Sequence, residues 1–120
     1  MPYLDENGIS KVATVTGVDM KTAASTTLYT VPAGKTFYPT HVVIREPSAS
    51  LAGGTSYSFT GWVQAVSLAS LTTALTDYIV LSSHEMKYTD NATATAFQIT
   101  VTTGSTLACT ATIDVFGFVA

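Results

Sequence analysis

The chain has 120 residues, a length that suits one domain rather than two and lets it bury about two-thirds of its unfolded surface without help from a metal or disulfide. Its composition is 47% hydrophobic and only 11% charged, with a net charge of −3, whereas an average soluble protein is about 25% charged. The five basic residues are scattered, so there is no basic stripe to neutralise phosphates, which argues against nucleic-acid binding.

Residues 1–10 (MPYLDENGIS) are polar and include Asp5-Glu6-Asn7-Gly8. They read as an N-terminal arm ahead of a single domain at residues 11–120. Such a terminus is poorly ordered unless the domain or a neighbouring subunit holds it. It lacks the basic start and apolar run of a signal peptide, which implies synthesis in the cytoplasm. No stretch reaches the ~20 apolar residues of a membrane helix.

From residue 11 onward, period-2 alternation and β-branched residues dominate. They predict strands at residues 11–16, 26–31, 36–46, 55–63, 77–81, 93–103 and 106–119. Within 55–63 (TSYSFTGWV), Tyr57, Phe59 and Val63 share a face. Residues 77–81 (DYIVL) are short and apolar, as expected of a strand buried on both faces. Phe97, Ile99 and Val101 share a face of the next strand. In the last, Leu107, Cys109, Ala111, Ile113 and Val115 oppose Thr110, Thr112 and Asp114.

The connections add turn chemistry. Thr103-Gly104-Ser105 reads as a tight hairpin between the last two strands. Residues 47–54 (PSASLAGG) read as a flexible loop. Residues 64–76 carry Leu68, Leu71 and Leu75 at helical spacing, enough for a turn or two of helix. Residues 82–91 read as a polar loop. About seven short strands and no long amphipathic helix predict an all-β antiparallel β-sandwich. An eight-stranded jelly roll is preferred. An immunoglobulin-like sandwich is the alternative, although the chain has no Cys…Trp…Cys spacing.

The chemical motifs mostly dissolve on inspection. Gly34-Lys35-Thr36 looks like the end of a phosphate-binding loop, but the first glycine of that loop would fall at Tyr29. The β-branched, Pro-containing run after it cannot open a helix to cradle phosphate. Pro32 and Gly34 instead suit the tip of a hairpin. His84-Glu85 begins a zinc-protease pattern whose second histidine would be Tyr88, and His41 is remote in sequence. His84 reads as a solvated loop residue, and His41 as outward-pointing or hydrogen-bonded at a sheet edge. Asp77, Asp90 and Asn91 could approach one another, but their spacing matches no calcium loop, so capping roles are favoured. Gly54-Thr55-Ser56-Tyr57-Ser58 lacks the second glycine of a nucleophile elbow. Asn91-Ala92-Thr93 has the form of a glycosylation sequon, which has no meaning without secretion. Cys109 is the single cysteine, read as a buried, inert thiol. The expectation is therefore no catalytic residue, no cofactor and no metal.

What remains is surface chemistry. A chain so poor in charge has two readings. Either much of its surface contacts other protein subunits, or Thr and Ser keep a weakly charged β protein soluble. Under the first, the interface candidates are Tyr3, Leu4, Asp5 and Glu6 in the arm, Lys35, Ser48 and Leu51 in connections, and Trp62, which has the opposite parity to Phe59. A second possibility is a sugar-stacking platform made from Tyr38, Tyr57, Trp62, Tyr78 and Tyr88.

Two segments carry a family resemblance. Leu28-Tyr29-Thr30-Val31-Pro32-Ala33-Gly34-Lys35, followed by Val42-Val43-Ile44-Arg45, is one. The ending Ala111-Thr112-Ile113-Asp114-Val115-Phe116-Gly117-Phe118 is the other. Together, about a quarter of the chain, they resemble small β-sandwich structural proteins of tailed bacteriophage virions. The resemblance implies a non-enzymatic virion component, of capsid decoration or tail and fibre type. It further implies a homo-oligomer, a trimer by preference, that binds the major capsid protein or other virion proteins and grips the shell with a terminal arm. The alternative within that reading is a carbohydrate-binding or tail/fibre attachment module. It supplies no catalytic residues, and the lack of a long apolar run argues separately against a membrane partner.

Overall fold

Strands form where alternation is strongest. In the computed structural model, which describes residues 9–62, 64–82, 89–90 and 96–120, they are β1 (Ser10–Asp19), β2 (Ser25–Thr30), β3 (Thr36–Arg45), β4 (Ser56–Phe59), β5 (Tyr78–Leu81), β6 (Thr89–Asp90), β7 (Ala96–Thr103) and β8 (Thr110–Val119). The larger sheet has the order β1-β8-β3-β5, with β6 also pairing with β3, and the smaller has the order β2-β7-β4. Val66 extends the smaller sheet through an antiparallel bridge to Tyr57.

Among the described residues every pairing is antiparallel, and no two consecutive strands pair with each other. The pairs are nested instead. β1 joins β8, β2 joins β7, β3 joins β5, and β4 joins the Val66 bridge. Successive pairs alternate between the sheets. A long ribbon wound in this way is a jelly roll, and the absence of consecutive hairpins sets aside the immunoglobulin-like alternative.

The inner faces of the two sheets supply the core. Phe37, Val42 and Ile44 of β3 meet Phe97 and Ile99 of β7, with Ile113 and Val115 of β8, all fully buried. Phe97 lies edge-on to Phe37 at 5.4 Å and parallel to Phe59 at 6.0 Å, geometries that aromatic quadrupoles favour. Cys109 is buried, its Sγ 3.3 Å from the carbonyl oxygen of Ala49.

Several connections differ from expectation. Pro32–Lys35 is a tight turn, with the Lys35 N–H donating to the Pro32 carbonyl at 3.1 Å and Gly34 at φ +74°, but it is no hairpin tip. It carries the chain from the smaller sheet to the larger. Thr103-Gly104-Ser105 likewise crosses between sheets, because β7 and β8 lie in different ones. Gly104 is needed there for close approach, since a Cβ would collide with the backbone of Lys21. No helix occurs among the described residues of 64–76. Leu68 and Leu71 donate their N–H groups to Gly54 and Leu68, the Leu71 carbonyl accepts from Leu51, and Leu75 has φ +67°. The backbone is thus tied into the neighbouring loop instead of a helical ladder. That neighbour, residues 47–54, is itself stapled rather than flexible. Ser48 N–H donates to the Thr110 carbonyl at 2.8 Å and the Ala52 carbonyl accepts from Thr106 at 2.9 Å. β5 is not buried on both faces, for Tyr78 is 66% and Val80 55% exposed. Among the described residues it lies at a sheet edge, with one face outward. Leu107 is exposed because β8 begins only at Thr110.

Candidate functional site: the outer face of the larger sheet

In an antiparallel sandwich the outer face is normally the polar one. The larger sheet departs from that rule, and its register shows how. Tyr78, Arg45 and Thr112 form one cross-strand row, and Val80, Val43, Asp114 and Thr14 the next. His41, Phe116 and Lys11 follow, then Tyr38 and Phe118. Apolar or aromatic side chains therefore recur in every row.

The rings are ordered by one another. Tyr38 stacks on Phe118 with centroids 4.9 Å apart and planes 14° from parallel. His41 stacks on Phe116 at 4.3 Å and 10°, and its Nδ1 lies 3.1 Å from Thr40 Oγ1. A bulge between Pro39 and His41 shifts the alternation of β3. It lets Phe37 and Val42, an odd number of residues apart, both face the core. His41 is consequently part of this outer face and stacked there, with β8 alongside.

A polar network interrupts the apolar rows. Asp114 is only 7% exposed although it points outward, because β8 has a neighbour on each side. Its Oδ2 accepts from Arg45 Nε at 2.8 Å, and its Oδ1 accepts from Thr14 Oγ1 at 2.7 Å. Arg45 also reaches Glu46 Oε2 at 2.8 Å. Burial pushes the Asp114 carboxyl up, but the hydrogen bonds from Arg45 and Thr14 and the nearby positive charge outweigh it, leaving it below the ordinary value. The network ties β1, β8 and β3 together. It satisfies a nearly buried charge that would otherwise be costly.

The candidate interface residues scatter. Tyr3, Leu4, Asp5 and Glu6 lie outside the described residues. Lys35 is exposed in its turn and Ser48 is exposed after Arg45, so the two flank opposite ends of ten-residue β3, roughly 30 Å apart at the usual strand rise. Ser48 Oγ accepts from the Thr110 N–H at 2.9 Å. Leu51 is fully buried and offers nothing to a partner: its loop folds inward. Trp62 is 9% exposed and packs on Phe59 at 4.7 Å. Parity misplaced it because β4 ends at Phe59 and a turn intervenes, with Gly61 at φ +80° and the Trp62 N–H donating to the Phe59 carbonyl at 3.0 Å.

The sugar-stacking platform loses its members for the same reason. Tyr57 is fully buried, its hydroxyl donating to the Met20 carbonyl at 2.8 Å, and Trp62 is in the core. Tyr38 and Tyr78 share the outer face, but Tyr78 pairs with Arg45, seven residues along β3 and so roughly 20 Å from Tyr38. Tyr88 and His84 lie outside the described residues, as does Asn91. Asp77 accepts from the Thr73 N–H at 2.8 Å, a capping contact. Among the described residues, no three His, Cys, Asp or Glu side chains gather as metal ligands.

The outer face was partly visible in advance. Phe116 and Phe118 have the parity opposite to Val115, and Tyr38 that opposite to Phe37. Apolar residues on both parities of a strand signal cover on both sides. What obscured the reading was the bulge in β3, which alternation alone does not reveal.

No protein-family model matches the chain, and no curated protein matches it. Among solved structures it is similar to a chain of the cyanophage Pam1 capsid asymmetric unit. The TM-score is 0.56 at 14% identity, over 98% of this chain and 90% of that one. The likeness is one of fold along nearly the whole length of both.

Proposed function

We propose that this chain is a non-enzymatic structural protein of a bacteriophage virion, a capsid decoration protein that forms homo-oligomers and binds the major capsid protein. The observation that carries the reading is the near full-length likeness in fold to a chain of a phage capsid. The ring-rich outer face of the larger sheet supports it, as does the low overall charge. The stretches that resemble phage proteins in sequence take in Val42–Arg45 at the end of β3 and most of β8, two strands that contribute to this face.

The work done is mechanical. Area buried across neighbouring capsid subunits opposes separation of the shell, at roughly 25 cal/mol per Å² before the costs of association. The low overall charge of the chain keeps desolvation small. The arm (Tyr3, Leu4, Asp5, Glu6), Lys35 and Ser48 remain the proposed contacts with virion partners, and a trimer the proposed oligomer.

Deleting residues 1–10 tests the reading. The domain is expected to keep its circular dichroism and melting profile while its occupancy on purified particles drops. Unchanged occupancy refutes the attachment role.

A further inference from the structure

Sheet edges differ sharply in this molecule. β1, at one edge of the larger sheet, is broken by bulges between Lys11 and Ala13 and between Val15 and Val18. β2, at an edge of the smaller sheet, has one between Thr27 and Tyr29. Bulges, charges and prolines are the usual devices that stop an edge from pairing with another chain. β5 carries no bulge, charge or proline, and its shortness, four residues, is the one such device it has. Its sequence is Tyr-Ile-Val-Leu, its register with β3 runs unbroken from Val42↔Leu81 to Arg45↔Tyr78, and among the described residues no strand pairs with its other side. Tyr78 and Val80 stand 66% and 55% exposed on the outer face.

We infer that β5 pairs antiparallel with β5 of a second copy about a two-fold axis through Ile79, joining the larger sheets of two protomers into one. The occupant follows from self-complementarity. With Ile79 on the axis, Tyr78 of each protomer lies opposite Val80 of the other, on the same face. Aromatic with β-branched is a favourable cross-strand pair. No like charges meet, and the rows Tyr78–Arg45–Thr112 and Val80–Val43–Asp114 run on across the junction. Four residues bury far less than the roughly 1,200 Å² of a stable standard interface, so this pairing is weak in dilute solution and is consolidated by concentration or by a particle. It deepens the homo-oligomer part of the proposed function without depending on virion attachment. Trimers that also pair their β5 edges become even-numbered assemblies.

Cysteine trapping tests it. Antiparallel partners lie about 4.5–5.5 Å apart at Cα, within the reach of a disulfide. Ile79→Cys is therefore expected to cross-link into dimers under mild oxidation at least tenfold faster than Leu107→Cys, a control site 56% exposed. The native Cys109 is buried and gives little background. Equal rates for the two variants overturn the proposal. Adding Tyr78→Glu with Val80→Glu sets like charges opposite one another and is expected to slow trapping about tenfold; Tyr78→Glu with Val80→Lys sets opposite charges there and is expected to restore it. A rate indifferent to both pairs overturns the proposal. Should Ile79→Cys not fold, the same two charge pairs are compared by sedimentation of the otherwise native chain, where only the second keeps the self-association. This readout needs no particle, so its failure is distinct from a failure of the arm-deletion experiment.

Discussion

Removing one buried hydroxyl, by Tyr57→Phe, has a cost that the surroundings define. The Tyr57 ring is fully buried and its hydroxyl donates to the Met20 carbonyl at 2.8 Å. That carbonyl also accepts from the Ser105 N–H at 3.1 Å, so the substitution leaves no orphaned acceptor. The expected loss is therefore that of an ordinary hydrogen bond, about 1 kcal/mol, and not the 2–3 kcal/mol that an unsatisfied buried group adds. With a urea m-value of roughly 1–3 kcal/mol/M, the midpoint falls by about 0.3–1 M at pH 7. Alkaline pH provides a second readout. Burial raises the Tyr57 phenol from 10.0 to about 12. A phenol harder to ionise when folded contributes stability that is fully present below the unfolded value and lost as pH rises through the folded one. The wild type should thus lose stability relative to the variant as pH rises between the two values, by on the order of 1 kcal/mol per pH unit. Phenylalanine abolishes that term, while the other tyrosines cancel in the comparison. Wild type is the more stable protein at neutral pH, the two stability curves cross between about pH 10.5 and 11, and the variant is the more stable above. Urea titrations at a series of pH values, followed by Trp62 fluorescence, measure both effects. A loss above 3 kcal/mol would mean that Ser105 does not hold the carbonyl. Parallel curves up to pH 12 would refute the burial argument.

Two further substitutions probe the scaffold. Asp114→Asn is expected to cost about 1–3 kcal/mol at pH 7, since it weakens charge-assisted bonds from Arg45 and Thr14. Because the folded carboxyl titrates below its unfolded value of 3.8, its contribution is present above that pH and vanishes as pH falls through the folded value, so wild-type and variant melting temperatures should converge in acid; a constant gap would sink the assignment. Gly104→Ala forces a methyl group into the Lys21 backbone and is expected to cost about 1–3 kcal/mol, as overpacking does. Calorimetry showing a change below 0.5 kcal/mol would mean that the inter-sheet loop moves freely.

Local chemistry determined a good deal by itself. Alternating apolar residues in β3, β7 and β8 specify strands with one face inward, because side chains on an extended backbone point to opposite sides in turn. Pro32 and Gly34 specify a turn, because proline presets the φ of a turn and glycine accepts the positive φ that a turn can demand. The low charge and the missing motif residues at Tyr29 and Tyr88 bear on function without any coordinates. Tertiary structure decided what depends on distant partners. A tight turn looks the same whether it closes a hairpin or passes between sheets, so the positions of Thr103-Gly104-Ser105 and of Pro32–Lys35 followed only from which strands pair. Tyr78 and Val80 are indistinguishable in sequence from core residues until β5 is seen at an edge. Asp114 is shielded only because β1 and β3 flank β8, and Trp62 turns inward only because Gly61 redirects the chain. Alternation is a property of neighbours along the backbone. Burial is a property of neighbours in space, and the long-range pairing of the jelly roll chooses those.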